Sequence, residues 1–221
     1  MFKMMITGRR RAGQTLAAHR HHMRFVHAPL VLGYIAAHPD MAPQRYVQNH
    51  AYDGTWQGAG PIGVARDFMT EISFASPQAA AASVQTPYYL THLQGDEANM
   101  VDQASVILLP AVERLRLDGV VKGAAHKVFV LLTRAEGVDP AAFRAAWQDQ
   151  PSPVAAQRHV QNDIMARPGE GTPVDGVDEV WFTSQAEAEA FVPQPGPLMD
   201  ADKTVIILAW EYVLHAGQKE V

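Results

Sequence analysis

The chain has 221 residues and no cysteine. That excludes disulfide staples, thiolate metal ligands and a cysteine nucleophile, and it suits a reducing compartment. Positive charge is not in excess either: 18 Lys and Arg stand against 23 Asp and Glu, for a net charge of -5. Without a basic stripe, no nucleic-acid partner is expected. Long apolar runs are missing. Val205–Trp210 is among the longest and falls far short of the roughly 20 residues that span a bilayer, so no membrane partner is expected. No apolar leader follows Met1, and the expected location is cytoplasmic. Dinucleotide and phosphate-binding glycine loops and the Gly-x-Ser-x-Gly elbow are also absent, so no cofactor is expected.

Histidine, by contrast, is plentiful. There are ten, and seven precede residue 110. His19-Arg20-His21-His22 invites a metal reading. Yet His21 falls on the opposite side of a helix from its neighbours, and no carboxylate lies nearby in sequence. A zinc site needs a defined third and fourth ligand, so no metal site is expected.

The chain also repeats itself. Arg45-Tyr46-Val47-Gln48-Asn49-His50 returns as Arg158-His159-Val160-Gln161-Asn162-Asp163. Lys3, Arg10, Gly13, Ala17, Ala18, Arg20 and Pro29 match Lys127, Arg134, Gly137, Ala141, Ala142, Arg144 and Pro153 without a gap. Further on, Glu71, Phe74 and Ser76 match Glu179, Phe182 and Ser184. A period this long marks two copies of one supersecondary unit.

Each copy reads as strand, helix, strand, strand, helix, strand. Met4–Ile6 and Val128–Leu132 are strand-length apolar runs. Thr15 and Asp139-Pro140 are helix starts. Phe143 and Trp147 lie four apart on one helix face, with His19 and Met23 as counterparts. Residues 67–74 and 177–182 are third strands, 76–84 and 184–192 short helices, and 105–109 and 204–213 last strands. A four-stranded sheet with helices on one face needs a cover for the other. The expected fold is therefore α+β: two ferredoxin-like βαββαβ repeats closing a single-chain, pseudo-dimeric α/β barrel. The first repeat is 1–110, the linker 111–125 and the second, degenerate repeat 126–221. The exposed helices and the last strand leave room for a homodimer.

Three ordered segments carry a family resemblance: Phe25-Val26-His27-Ala28-Pro29-Leu30, Arg45–His50, and Asp96-Glu97-Ala98-Asn99-Met100-Val101-Asp102. Together they resemble the EthD domain over most of residues 3–110. The resemblance implies the dimeric α/β-barrel fold, in a tandem fused form. That superfamily includes cofactor-free decarboxylases, cyclases, dehydratases and isomerases, and quinone-forming oxygenases. The second copy departs from the pattern, with Pro151 for His27 and Asp163 for His50, so family-like chemistry is expected in the first copy.

Strand alternation puts Tyr46, Gln48 and His50 on one face, here expected to look into the barrel. Glu71 and Glu179 are expected there too, where desolvation suits a carboxylate to proton transfer. Phe68, Thr70, Ile72 and Phe74 suit packing under the helices. His27, near a helix end or bend by Pro29, is the leading general acid or base. His50 or Glu71 is its expected partner, and Tyr46 holds a substrate oxygen. Trp56, Met69 and Trp181 are expected apolar walls, with Trp56 as a lid. Asp96 is expected as an N-cap, and the family match adds a pocket role. The expected function is a cofactor-independent lyase or isomerase for a small hydrophobic, aromatic or polycyclic oxygenated molecule. The alternatives are a non-catalytic binder of such a metabolite and a haem or metal carrier.

Overall fold

The computed structural model describes residues 1–53, 66–121, 125–165, 174–191, 193 and 196–217. Its elements in the first part of the chain are β1 (Phe2–Arg10), α1 (Leu16–His22), a π-turn (Met23–His27), α2 (Ala28–Ala37), β2 (Arg45–Ala51) and β3 (Phe68–Phe74). They continue with α3 (Pro77–Ser83), a second π-turn (Tyr89–Leu93), α4 (Gln94–Met100) and β4 (Val101–Leu117). The later part has β5 (His126–Leu132), α5 (Pro140–Gln148), β6 (Arg158–Ile164), β7 (Gly176–Phe182), α6 (Gln185–Ala190) and β8 (Val205–His215). The strands hydrogen-bond in the order β1-β3-β2-β8-β5-β7-β6-β4 and close as an eight-stranded barrel. β4 runs on through Leu117, so residues 111–117, expected as connection, are strand. Among the described residues no helix is long and apolar enough to cross a membrane.

Helix starts follow the sequence. Thr15 Oγ1 accepts from the Ala18 N–H, and Asp139 Oδ1 accepts from the Ala141 and Ala142 N–H groups. Ser76 caps α3, and Ser184 with Glu187 closes a reciprocal capping box on α6. Each satisfies amide donors that a first helical turn leaves unpaired.

One compact unit comprises Met1–His50, Arg66–Leu108 and Tyr212–Val221; the other comprises Ala51–Ala65 and Leu109–Glu211. Corresponding positions in the two carry the same contacts. Arg10 pairs with Asp67, and Arg134 pairs with Asp175. Lys3 Nζ lies 2.6 Å from Glu71 Oε2, and Lys127 pairs with Glu179. Asn49 Nδ2 donates to Glu71 Oε1 and Asn162 Nδ2 to Glu179 Oε1, each at 2.8 Å. Gln48 Nε2 donates to the Met23 carbonyl at 2.8 Å, and Gln161 Nε2 to that of Trp147 at 2.9 Å. Gly13 and Gly137 both take positive φ, 81° and 78°, a backbone region closed to most side chains.

Strand register decides which faces the side chains take. Tyr46 pairs with Ile72, Gln48 with Thr70 and His50 with Phe68, and directly paired residues share a face. Phe68 and Met23 share one buried cluster, and Tyr46 packs with Ala28, Val31, Tyr34 and Leu93 in another. The face expected to look into the barrel is thus the helix-covered face. Val47 pairs with Glu71 and Asn49 with Met69 on the opposite side.

In the second unit Phe143 and Trp147 are buried with Val128, Val130, Val180 and Phe182. The Trp147 indole lies flat against Gly176: a Cβ added there would fall 2.6 Å from Cη2. At the corresponding contact the first unit has Met23 and Phe68. A large helix residue over a small strand residue has become the reverse, which conserves volume. Gly176→Ala would overpack this contact. It is expected to lower the stability of the chain by about 1–3 kcal/mol, read as a lower urea midpoint by circular dichroism.

Candidate active site

The first unit gathers ionisable groups where α1 and α2 meet through the π-turn. The Ala28 N–H bonds the Met23 carbonyl, five residues back. The cause is local. Pro29 has no N–H, and its ring would strike the Phe25 carbonyl in a regular α-helix. A widened turn accommodates both. The turn also redirects side chains. Residues five apart in a regular α-helix diverge by about 140°, but here His22 and His27 converge on one carboxylate. His22 Nε2 is 2.8 Å from Asp96 Oδ1, and His27 Nδ1 is 2.9 Å from Asp96 Oδ2.

Asp96 comes from α4, directly after the second π-turn. It is not the N-cap the sequence suggests but lies inside the helix, with its side chain committed to the two imidazoles. The hydrogen bond from His27 is the main reason its pKa falls below the ordinary carboxylate value, with burial opposing. An ionised carboxylate only accepts, so each histidine donates to it. This puts a proton on Nδ1 of His27. Next to it, Tyr89 donates to Glu97 Oε1 at 2.9 Å, and burial pushes the Glu97 carboxyl up.

His50 does not join this pair. Its Nε2 lies 3.1 Å from Gln48 Oε1. The Gln48 amide nitrogen donates to the Met23 carbonyl and to the Tyr46 oxygen, so its Oε1 accepts the His50 proton. Burial above all, then the nearby cationic groups, pushes the His50 pKa down to about 3. The ring stays neutral at working pH and cannot serve as the general acid beside His27. Tyr46 is 1% exposed, and burial raises its pKa. It anchors the helical layer, where a substrate-binding phenol was expected.

Glu71 is on the opposite face of the sheet from the helices. Lys3 and Asn49 hold it, with Arg45 3.9 Å away. The structure therefore separates it from His27. Met69 is on that same face and fully buried; Asn49 Nδ2 donates to its carbonyl. In the second unit Glu179 is held by Lys127 and Asn162. Trp181 donates from Nε1 to Glu211 Oε2 at 3.2 Å, with the Lys127 ammonium 4.2 Å from its ring. Trp56 lies outside the described residues. Sequence reasoning missed His22, because its partner is 74 positions away.

The chain is a mixed helix-and-strand fold that closes an eight-stranded barrel. Solved structures agree across nearly the whole length. An anthrone oxidase-like protein matches with a TM-score of 0.59 and 9% identity, over 100% of this chain and 96% of its own. A candidate monooxygenase from Lactobacillus acidophilus NCFM matches at 0.56 and 7%, over 98% and 96%. A variant chlorite dismutase from Candidatus Nitrospira defluvii matches at 0.50 and 10%, over 96% and 91%. No curated protein matches the sequence. The EthD domain family model matches residues 11–104.

Buried His50 makes a prediction with a definite sign. The unfolded ring takes a proton near 6.5, the folded ring only near 3. The stability from keeping it neutral is complete above pH 6.5 and is lost as pH falls towards 3. His50→Gln is expected to make the urea midpoint less pH-dependent across that window. An unchanged slope would show that the ring is not held neutral.

Proposed function

We propose that the chain is a proton-transfer enzyme, a cofactor-independent lyase or isomerase acting on a small hydrophobic, aromatic or polycyclic oxygenated molecule. The observation that carries this reading is the Asp96 carboxylate shared by His22 and His27. An aspartate behind a histidine fixes its tautomer and stabilises the imidazolium that forms when the ring takes a proton. His27 Nε2 is the base that removes a substrate proton, and Asp96 balances the charge. His27 then returns the proton to the leaving hydroxyl or to another carbon. His22 donates to the second oxygen of Asp96 and keeps the carboxylate in place. Dehydration, decarboxylation and isomerisation all use this one cycle. The neighbouring Tyr89–Glu97 pair keeps a second carboxyl close to the same helix.

The same reading makes the chain a tandem of two ferredoxin-like repeats, 1–110 and 126–221, joined through 111–125. The matching Lys–Glu–Asn, Arg–Asp and Gln–carbonyl contacts support it. Chemistry resides in the first repeat. The second has Pro151 in place of His27 and serves as scaffold, with Glu179 and Trp181 committed to its own contacts.

The test is turnover of fused-ring hydroxyketones, scored by mass spectrometry without added cofactor and without oxygen. His27→Ala and Asp96→Asn are each expected to cut turnover of an accepted compound about 10²–10⁴-fold, the usual worth of general acid–base catalysis. Full activity in both variants, or activity that stops when oxygen is withdrawn, would falsify this reading.

A further inference from the structure

Arg24 sits in the first π-turn, two residues after His22 and three before His27. Its guanidinium carbon lies 4.8 Å from the centre of the Tyr212 ring. Its Nη1 is buried and has no hydrogen-bond partner among the described residues. Asp96, the carboxylate that acts on Tyr46 together with Arg24, already spends an oxygen on each histidine. The Arg24 charge is felt at both Tyr46 and His50, where it favours phenolate and disfavours imidazolium. The groups around it are therefore neutral or already committed. His50 is uncharged and packs, tilted at 54°, on the same Tyr212 ring with 4.9 Å between ring centres. Tyr46 is buried and accepts from Gln48.

A planar guanidinium held against an aromatic ring, with an in-plane N–H lacking an acceptor, is preorganised for an anionic oxygen. A buried charged donor without a partner carries the full cost of its desolvation. An oxyanion delivered by a ligand removes that cost. The placement matters for chemistry as well, because Arg24 and His27 share one π-turn, and Tyr46 feels the charges of both Arg24 and Asp96, the carboxylate that His27 bonds.

We propose that Arg24 is the substrate's oxyanion clamp: the molecule that reaches His27 carries a carboxylate, phenolate or enolate oxygen, and Arg24 binds it. This rests on the proton-transfer reading for its consequence but not for its measurement. Arg24 fixes which molecules enter and, where the oxygen is an enolate, stabilises the charge that develops as His27 takes the proton. Tyr212 supplies the flat surface that keeps the guanidinium in plane.

The probes are 2-naphthoate and its neutral isostere 2-naphthamide, titrated into the full chain by calorimetry. The unaltered protein is expected to bind naphthoate about 10-fold or more tightly than naphthamide, the worth of a hydrogen bond to a charged group. Arg24→Gln is expected to erase that preference while leaving naphthamide affinity unchanged, and Arg24→Lys to keep part of it. His27→Ala is expected to keep the preference in full, which separates this binding role from catalysis. Circular dichroism melting of Arg24→Gln guards against a folding defect. Unfolding of that variant shifts the decision to Arg24→Lys, which must lose at least half of the preference. Binding of neither probe, equal binding of both, or an undiminished preference in both Arg24 variants overturns the proposal.

Discussion

The structure hangs on a hydrogen bond that a strand makes to a helix. Gln48 reaches from β2 to the main-chain carbonyl of Met23, and Gln161 reaches from β6 to that of Trp147. A side-chain amide that bonds a helix carbonyl fixes height and rotation together, which apolar packing alone leaves adjustable. Its partners are buried, so losing it would strand a polar group at a cost of about 1–3 kcal/mol. Everything carried by the helix is placed by this bond, including His19, His22, Arg24 and His27.

From the same anchor the two halves diverge. In the second, the helix ends at Gln148, one residue past the clamp. The Trp147 indole fills the layer and donates to Asp178, which also receives His159. His159, Asp178 and the Trp147 indole are thus spent on one another. In the first, the helix passes the clamp through a π-turn and runs on to Ala37. Met23 occupies less of the layer, and the space holds imidazoles, a guanidinium and a carboxylate. The widened turn is thus what makes the first half chemically different, and Pro29, which cannot continue a regular α-helical ladder, stands just beyond it.

Much of this was legible in the sequence, and what was not has a physical cause. The caps at Thr15 and Asp139, the short helices that begin at Ser76 and Ser184, and the sheet-facing positions His19, Met23, Phe143 and Trp147 all follow from pattern. The face of β2 does not. Alternation separates Tyr46, Gln48 and His50 from Arg45, Val47 and Asn49, but both sets are mixed in polarity, so neither announces its cover. The missing fact was register. The expectation that Phe68, Thr70 and Ile72 lie under the helices was right, and their pairing with His50, Gln48 and Tyr46 carries that face with them. The His22–Asp96–His27 group was hidden for a different reason. A period of 3.6 residues sets His22 and His27 on different faces, and only the wider turn brings them together.

The two faces of the first sheet have consequently separate duties. Away from the helices, Lys3, Glu71 and Asn49 form a buried set joined by an ion pair and a hydrogen bond, and its counterpart in the second unit is Lys127, Glu179 and Asn162. Buried ion pairs contribute little net stability, because desolvation offsets attraction. Removing one partner is nevertheless costly, since a charge is then left buried alone. Such a set resists change once present, and it has persisted in both halves. Under the helices the reverse holds. There residues differ between the halves around the shared Gln48 and Gln161: Met23 for Trp147, Tyr46 for His159 and His50 for Asp163. A layer free to change while the opposite face is locked is where a fold of this kind can acquire chemistry without losing its frame.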